Sequence, residues 1–457
     1  MRIGDRSRWV LAFSAGVLLL LAPALWNGFA LINYDTGGYL ARWYEGTLEP
    51  NRAVPYGLLL SASVPFMFIP VLALQSALSV WLISLSLRAH GLGGRAGVLL
   101  GVVGALAAFT TLPWLTSLLL TDIFCGLGVL ALYLLLMLGA RHSAIERAGL
   151  IAVVAFSAAT HNATLMVLFL LLAAAAVLAL VTPTRLPVAG FGRGALALVL
   201  GIGIVFAADA VVAKRLAWTP GGLSFPFGRL LQDGLVQRYL DDHCPDANLR
   251  LCPYKDELPR DGDRWFWDSD LFNRLGRFAG LGEEMRHIGL DALVEYPAAY
   301  VQGTFIATAR QLVILRTGEG VVNSTWHSYS IIERFTPQLA PAMREARQQR
   351  GELDFAAINR LHVPAGLAAL GLLPVLVLLA WRGRIPRPLG EMAAMAALAV
   401  LANAAVCGAL SNPHDRYGAR MVWIAALVGA IAVARLTVRL WERVPAENRL
   451  PPLGIMR

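Results

Sequence analysis

Apolar runs of about twenty residues recur along this 457-residue chain, and a helix of about that length crosses the roughly 30 Å hydrocarbon layer of a bilayer. About ten runs qualify: Trp9–Leu31, Met67–Leu87, Ala96–Leu112, Trp114–Leu138, Ala148–Thr160, Ala163–Val181, Gly194–Val212, Val363–Trp381, Met392–Leu410 and Met421–Leu440. Only 15% of the residues are charged and 57% are hydrophobic, too little charge to cover a soluble protein of this length. The expected fold class is an all-α polytopic membrane protein of about ten transmembrane helices with a mixed helical and irregular extracytoplasmic domain.

The net charge of +9 comes from arginines between the runs, where they read as topology signals; no nucleic-acid partner is expected. With Arg2, Arg6 and Arg8 in the cytoplasm, every second connection is cytoplasmic. Those connections carry Arg88 and Arg95, Arg141 and Arg147, Arg185 and Arg193, then Arg382, Arg384 and Arg387, and the tail adds Arg443, Arg449 and Arg457. The expected localisation is the cell (inner) membrane, multi-pass, with both termini cytoplasmic. The first run is long for a signal core and lacks a small-residue cleavage site, so it reads as a retained span.

Three parts follow: an N-terminal bundle over residues 1–213 with a first outer loop at 32–66, an extracytoplasmic domain over 214–362, and C-terminal helices with a cytoplasmic tail over 363–457. The domain holds Trp218, Trp265, Trp267 and Trp326. Its stretch from Arg334 to Arg360, rich in Ala, Glu, Arg and Gln, is expected to be helical. Cys244 and Cys252 lie in this domain and can pair on an oxidising side of the membrane. Cys125 and Cys407 lie in apolar runs and read as packing residues. Asn323–Ser324–Thr325 fits a glycosylation sequon, a pattern common by chance.

Acidic and basic residues gather at the outer ends of the runs, which points to chemistry at the membrane surface. Asp35 follows the first run in Asn33–Tyr34–Asp35–Thr36–Gly37–Gly38–Tyr39–Leu40, trailed by Arg42 and Glu45. Its carboxylate suits a general base or a divalent-cation ligand, or else a helix cap. Residues 51–60, opening on Asn51 and Arg52, read as a helix lying in the interface. Asp122 is expected about two turns inside its span, catalytic, metal-holding or hydrogen-bonded within the bundle. His161 lies at an outer turn and suits either a substrate contact or a cap. Asp209 precedes Lys214 and Arg215, which suggests a local ion pair. The last outer turn, Ser411–Asn412–Pro413–His414–Asp415–Arg416–Tyr417–Gly418–Ala419–Arg420, breaks the rule that outer turns lack positive charge. Arg416 and Arg420 there suit a phosphate, or an interfacial anchor made with Asp415 and Tyr417. His327, Glu333 and Arg334 are polar enough to contact an acceptor.

An acid just past the first span, a Tyr-Leu step, an Arg/Pro/Tyr segment and a Leu-rich run resemble the GT-C superfamily, as do Ser117 to Asp122, His161 and a long outer domain between two bundles. These are membrane glycosyltransferases that use polyprenyl-phosphate sugars, including the protein mannosyltransferase and aminoarabinose transferase types. Two positions depart from the pattern: Thr36 stands where many members have a second acid, and His161 where many have an arginine.

The resemblance implies a GT-C-like fold and transfer of a sugar, with inversion of the anomeric centre, from a polyprenyl-phosphate-linked donor to an extracytoplasmic acceptor. Asp35 and Asp122 would carry the catalysis or hold a divalent Mg, Mn or Zn ion. Arg42, Arg52, His161, His414, Arg416, Tyr417 and Arg420 would contact substrate or phosphate. The alternatives are a transporter or flippase for a lipid-linked saccharide, which needs charge along a midplane path, and a non-catalytic envelope-assembly protein, which has no need of these acids and arginines.

Overall fold

The computed structural model describes residues 3–46, 52–181, 188–214, 224–323 and 326–443. Arg2, Arg185, Arg215, Trp218, Arg449, Arg457 and the Ser324–Thr325 part of the sequon lie outside these residues.

Helix α1 (Ile3–Asn27) leads through residues 28–35 to two short helices, α2 (Thr36–Glu45) and α3 (Val54–Ser63). The first bundle continues with α4 (Ile69–Ala89), α5 (Ala96–Phe109), α6 (Leu112–Thr116), α7 (Asp122–Leu138), α8 (Ala144–Thr160), α9 (Asn162–Val181) and α10 (Val188–Ala213). Helix α8 starts on a capping box: the Ser143 hydroxyl accepts from the Glu146 amide, and the Glu146 carboxylate accepts from the Ser143 amide at 2.8 Å.

Between the two groups of long helices the chain forms α11 (Phe225–Gln232), α12 (Leu235–His243), α13 (Gly262–Asp268), α14 (Asp270–Arg274), α15 (Arg277–Glu295), α16 (Pro297–Val313), α17 (Trp326–Phe335) and α18 (Ala340–Glu345). The chain then returns to the bundle with α19 (Phe355–Trp381), α20 (Arg387–Leu410) and α21 (Asp415–Arg443). Among the described residues eight helices are long and apolar enough to cross a membrane, namely α1, α4, α7, α9, α10, α19, α20 and α21. The chain is therefore an all-α polytopic membrane protein. Helices α5 and α8 are apolar but have 14 and 17 residues.

The domain has its own core, built on Phe227, Trp265, Phe272, Met285 and neighbours from α11 to α15. Cys244 and Cys252 are joined in a disulfide at its edge. The later helices belong elsewhere: Ile331, Ile332 and Met343 of α17 and α18 join the bundle core.

Two expected elements form differently. The run Trp114–Leu138 is not one helix. Residues 117–121 are pulled into a short ladder with residue 31, in which the Leu31 amide donates to Ser117 (2.9 Å) and the Leu119 amide to Leu31 (3.0 Å). Asp122 is therefore the first residue of α7 rather than two turns inside it. The stretch from Arg334 to Arg360 is also broken. Pro337 and Pro341 permit only short turns, and α19 starts afresh at Phe355, where the Asp354 side chain accepts from the Ala357 amide.

The residues between α1 and α2 are tied down by Gln348. Its side chain accepts from the Ile32 amide (2.9 Å) and donates to the Ile32 carbonyl (2.6 Å), so one amide side chain imitates a strand partner. This fixes where Asp35 emerges.

Candidate functional site

Asp35 stands at the N-cap position of α2, yet its side chain makes no capping bond. Both carboxylate oxygens are spent on arginines. Oδ1 accepts from Arg52 Nη2 in a short charged bond, and Oδ2 accepts from Arg416 Nη1 at 2.7 Å. Asn33 and Thr36 set the backbone here. The Asn33 side chain accepts from the Asp35 amide (3.0 Å). The Thr36 hydroxyl accepts from the Asn33 amide (2.9 Å) and donates to the Leu119 carbonyl (2.9 Å). Thr36 thus anchors the loop to the ladder before α7.

Arg52 approaches along the seam between α2 and α3. That seam is tight because Gly57 has no side chain: a Cβ there would lie 2.3 Å from the Tyr39 carbonyl oxygen. The Arg52 guanidinium sits 5.7 Å from the Tyr39 ring centroid. The segment expected to be an interfacial helix is α3.

Asp122 is 2% exposed and meets two arginines of α21: Arg420 Nη1 lies 3.3 Å from Oδ1, and Arg416 Nε lies 3.7 Å from Oδ2. At the first turn of α7 a carboxylate also faces the positive end of the helix dipole. Arg420 is fully buried and held by Asn403 Oδ1 at 3.0 and 2.8 Å and by Cys407 Sγ at 3.2 Å. The ring of Tyr417 underlies both arginines, 5.1 Å from Arg416 and 5.0 Å from Arg420.

Arg416 is therefore the bridge between the two acids. Its Nε, at ion-pair range of Asp122, has no hydrogen-bond partner among the described residues. Beside it is a small pocket walled by Leu115, Leu118, Trp114 and Phe355 and also lined by Asp122, Arg316, Glu319 and Arg416. The rings of Trp114 and Phe355 meet edge-on at 5.0 Å.

His161 closes α8, and its Nδ1 accepts from the Ala163 amide at 3.1 Å, which caps α9. It is also within electrostatic reach of Arg420, Arg416, Arg52 and Asp35. Burial and the three guanidiniums hold its imidazole well below its ordinary pKa, so it is neutral. Burial alone would raise the Asp35 carboxyl, but Arg52 and Arg416 outweigh it and hold the group at about 2.

His414 lies outside this cluster, in a clasp. Its Nδ1 is 2.7 Å from Glu319 and its Nε2 is 3.1 Å from Asp263 of the domain. Burial opposes the charged ring, yet the two carboxylates raise it to about 9. Glu319 also accepts from the Arg416 amide at 2.7 Å, so the clasp runs from the domain to the backbone of the bridging arginine. Gly320, at φ +74°, lets this loop turn against Asn33 and Tyr34, where a Cβ would come within 2.3 Å of the Asn33 amide nitrogen.

Arg42 is placed elsewhere. It pairs at 2.9 Å with Asp209 of α10, both side chains being 2% exposed. Asp209 therefore pairs across the bundle, with a residue far from it in sequence; of the two cations expected to pair with it locally, Arg215 lies outside the described residues. Of the domain residues expected to contact an acceptor, Glu333 pairs with Arg344, and Arg334 lies 3.5 Å from Glu45. Glu319, Asp263 and Asn403 were not expected. Asn403 is a lone polar residue in an apolar run, a signal the sequence does carry.

The chain matches no family model, no curated protein and no solved structure. The site must be read from its own geometry. Among the described residues no three His, Cys, Asp or Glu side chains group as metal ligands. Asp35 and Asp122 are surrounded by guanidiniums, a donor set that repels a divalent cation, so the pairs as built do not fit a Mg, Mn or Zn site.

Proposed function

We propose that this protein is a GT-C-like glycosyltransferase that takes a sugar from a polyprenyl-phosphate carrier and passes it to an acceptor at the extracytoplasmic membrane surface. One arrangement carries the reading: an apolar-walled pocket shares Arg416 and Asp122 with a cluster of buried charges that includes Asp35 and Arg52. An amphiphile with a hydrocarbon tail and an anionic head matches that combination.

In this reading the acceptor hydroxyl oxygen attacks the anomeric carbon as the bond from that carbon to the phosphate oxygen breaks. The phosphate leaves with the electron pair, held by Arg416 and Arg52, and the hydroxyl proton passes to Asp35. A single displacement of this kind inverts the anomeric centre.

The eight long apolar helices and the shorter α5 and α8 cross the membrane in this reading. The far ends of α4 and α7 meet, with Arg141 Nη1 donating to the Ala89 carbonyl (3.0 Å). Asp122, at the start of α7, sits with Asp35 on the domain side, so α5 and α6 must carry the chain back across. Helix α8 likewise starts beside Arg88, which pairs with Glu146 at 2.8 Å, and ends at His161 near the cluster. Arginine placement then sets both termini in the cytoplasm and the domain outside.

The test uses the purified full chain in detergent with radiolabelled undecaprenyl-phosphate hexoses and pentoses and an envelope extract as acceptor. Movement of label from carrier to acceptor by wild type, lost in Arg416→Gln, supports the reading. Label that stays on every carrier with wild type contradicts it.

A further inference from the structure

We propose that Asp35 is an internal stand-in for the carrier phosphate: it holds Arg52 and Arg416 in position and gives both up when a phosphate enters, which frees its own carboxylate. This deepens the glycosyltransferase reading and rests on it.

The geometry is that of an occupied two-oxygen anion site. Two guanidiniums arrive from elements far apart in sequence, one ahead of α3 and one in the first turn of α21, and each takes a different oxygen of the same carboxylate. A phosphate group offers the same pair of oxygens with at least as much charge. One of the two arginines, Arg416, also lines the pocket walled by Leu115, Leu118, Trp114 and Phe355, and its Nε has a donor unspent among the described residues.

While both oxygens are paired with guanidiniums, Asp35 is poorly disposed to take a proton from an acceptor hydroxyl. Its carboxyl, held at about 2, is a very weak base in this arrangement. Transfer of the guanidiniums to an entering phosphate removes the two charges that depress it. The base is thereby exposed only with a donor in place, and the donor must bind before the acceptor reacts. It also follows that the carboxylate competes with the phosphate for the same arginines. Loss of the carboxylate abolishes transfer and at the same time tightens phosphate binding. A helix cap or a metal ligand that bridges to the phosphate has no such consequence.

The test is calorimetric binding of farnesyl phosphate to the full chain in detergent. Wild type binds, Asp35→Asn and Asp35→Ala bind about tenfold tighter through loss of one competing charged partner, and Arg416→Gln binds at least tenfold weaker. A measurement on wild type alone covers the case in which the variants unfold: with ¹³C-labelled aspartate, farnesyl phosphate shifts an infrared carboxylate band. Binding by wild type that is unchanged or weakened in both Asp35 variants, or an unmoved carboxylate band, overturns the stand-in while the phosphate site stands. No binding by wild type or either Asp35 variant overturns the phosphate site itself, and the stand-in with it.

Discussion

Arg416 Nη1 lies 2.7 Å from Asp35 Oδ2, a contact between residues 381 positions apart that closes the first loop of the protein onto its last helix. The same guanidinium reaches Asp122, so one side chain holds together three segments that the sequence scatters. Arg416→Ala leaves Asp35 with Arg52 and Asp122 with Arg420, each short of a buried partner. The expected cost is roughly 3–5 kcal/mol of stability, the range for breaking a buried charge pair. Thermal unfolding in detergent measures it, and a loss no larger than that of a surface arginine would show the bridge to be dispensable.

The Arg42–Asp209 pair is expected to be structural. Arg42→Leu strands a buried carboxylate and costs roughly 3–5 kcal/mol, while the Arg42→Leu, Asp209→Leu double variant recovers most of that loss. Farnesyl phosphate affinity in the double variant should match wild type. A double variant that melts like wild type but no longer binds the probe would return Arg42 to the substrate contacts.

Two groups set the pH profile in opposite directions. Asp35 is depressed to about 2, so its contribution to stability is full above its ordinary value of 3.8 and fades as the pH falls through about 2. His414 is raised to about 9, so its contribution is full below its ordinary value of 6.5 and fades as the pH rises through about 9. Melting temperatures from pH 6 to pH 10 should fall on the alkaline side. His414→Gln should flatten that fall; an identical slope in the variant would remove the clasp from the stability of the protein.

The Cys244–Cys252 disulfide closes a short loop at the edge of the domain core. Its removal in a Cys244→Ser, Cys252→Ser variant should cost about 2–3 kcal/mol by loop-closure entropy. Mass spectrometry without reduction should show the linked peptide in protein taken from the membrane, and two freely alkylated thiols would contradict the pairing.

Much of the architecture is legible in the order of residues because bilayer length is a local constraint: each expected apolar run coincides with a helix or, at Trp114–Leu138, with most of one. The site was legible in its members but not in its pairings. Asp35, Arg52, Asp122, Arg416 and Arg420 stand out as charges at the ends of apolar runs. Nothing local says that Arg416 serves both acids, that Arg42 turns to Asp209, or that His414 leaves the cluster for Asp263 and Glu319. The break at residues 117–121 was hidden for the same reason. Its cause is a ladder to Leu31 across the bundle, and the apolar character of Leu118, Leu119 and Leu120 reads as continued helix.

The most direct measurement compares envelope glycans by mass spectrometry in cells that lack this chain and carry either the wild-type or the Asp35→Asn form, with expression matched by blotting. A sugar-transfer role for Asp35 predicts one glycan mass increment present with wild type and absent with both the deletion and Asp35→Asn, because the amide keeps the shape of the side chain but cannot take a proton at neutral pH. The same increment in cells expressing Asp35→Asn, or no glycan difference between wild type and deletion, would contradict it.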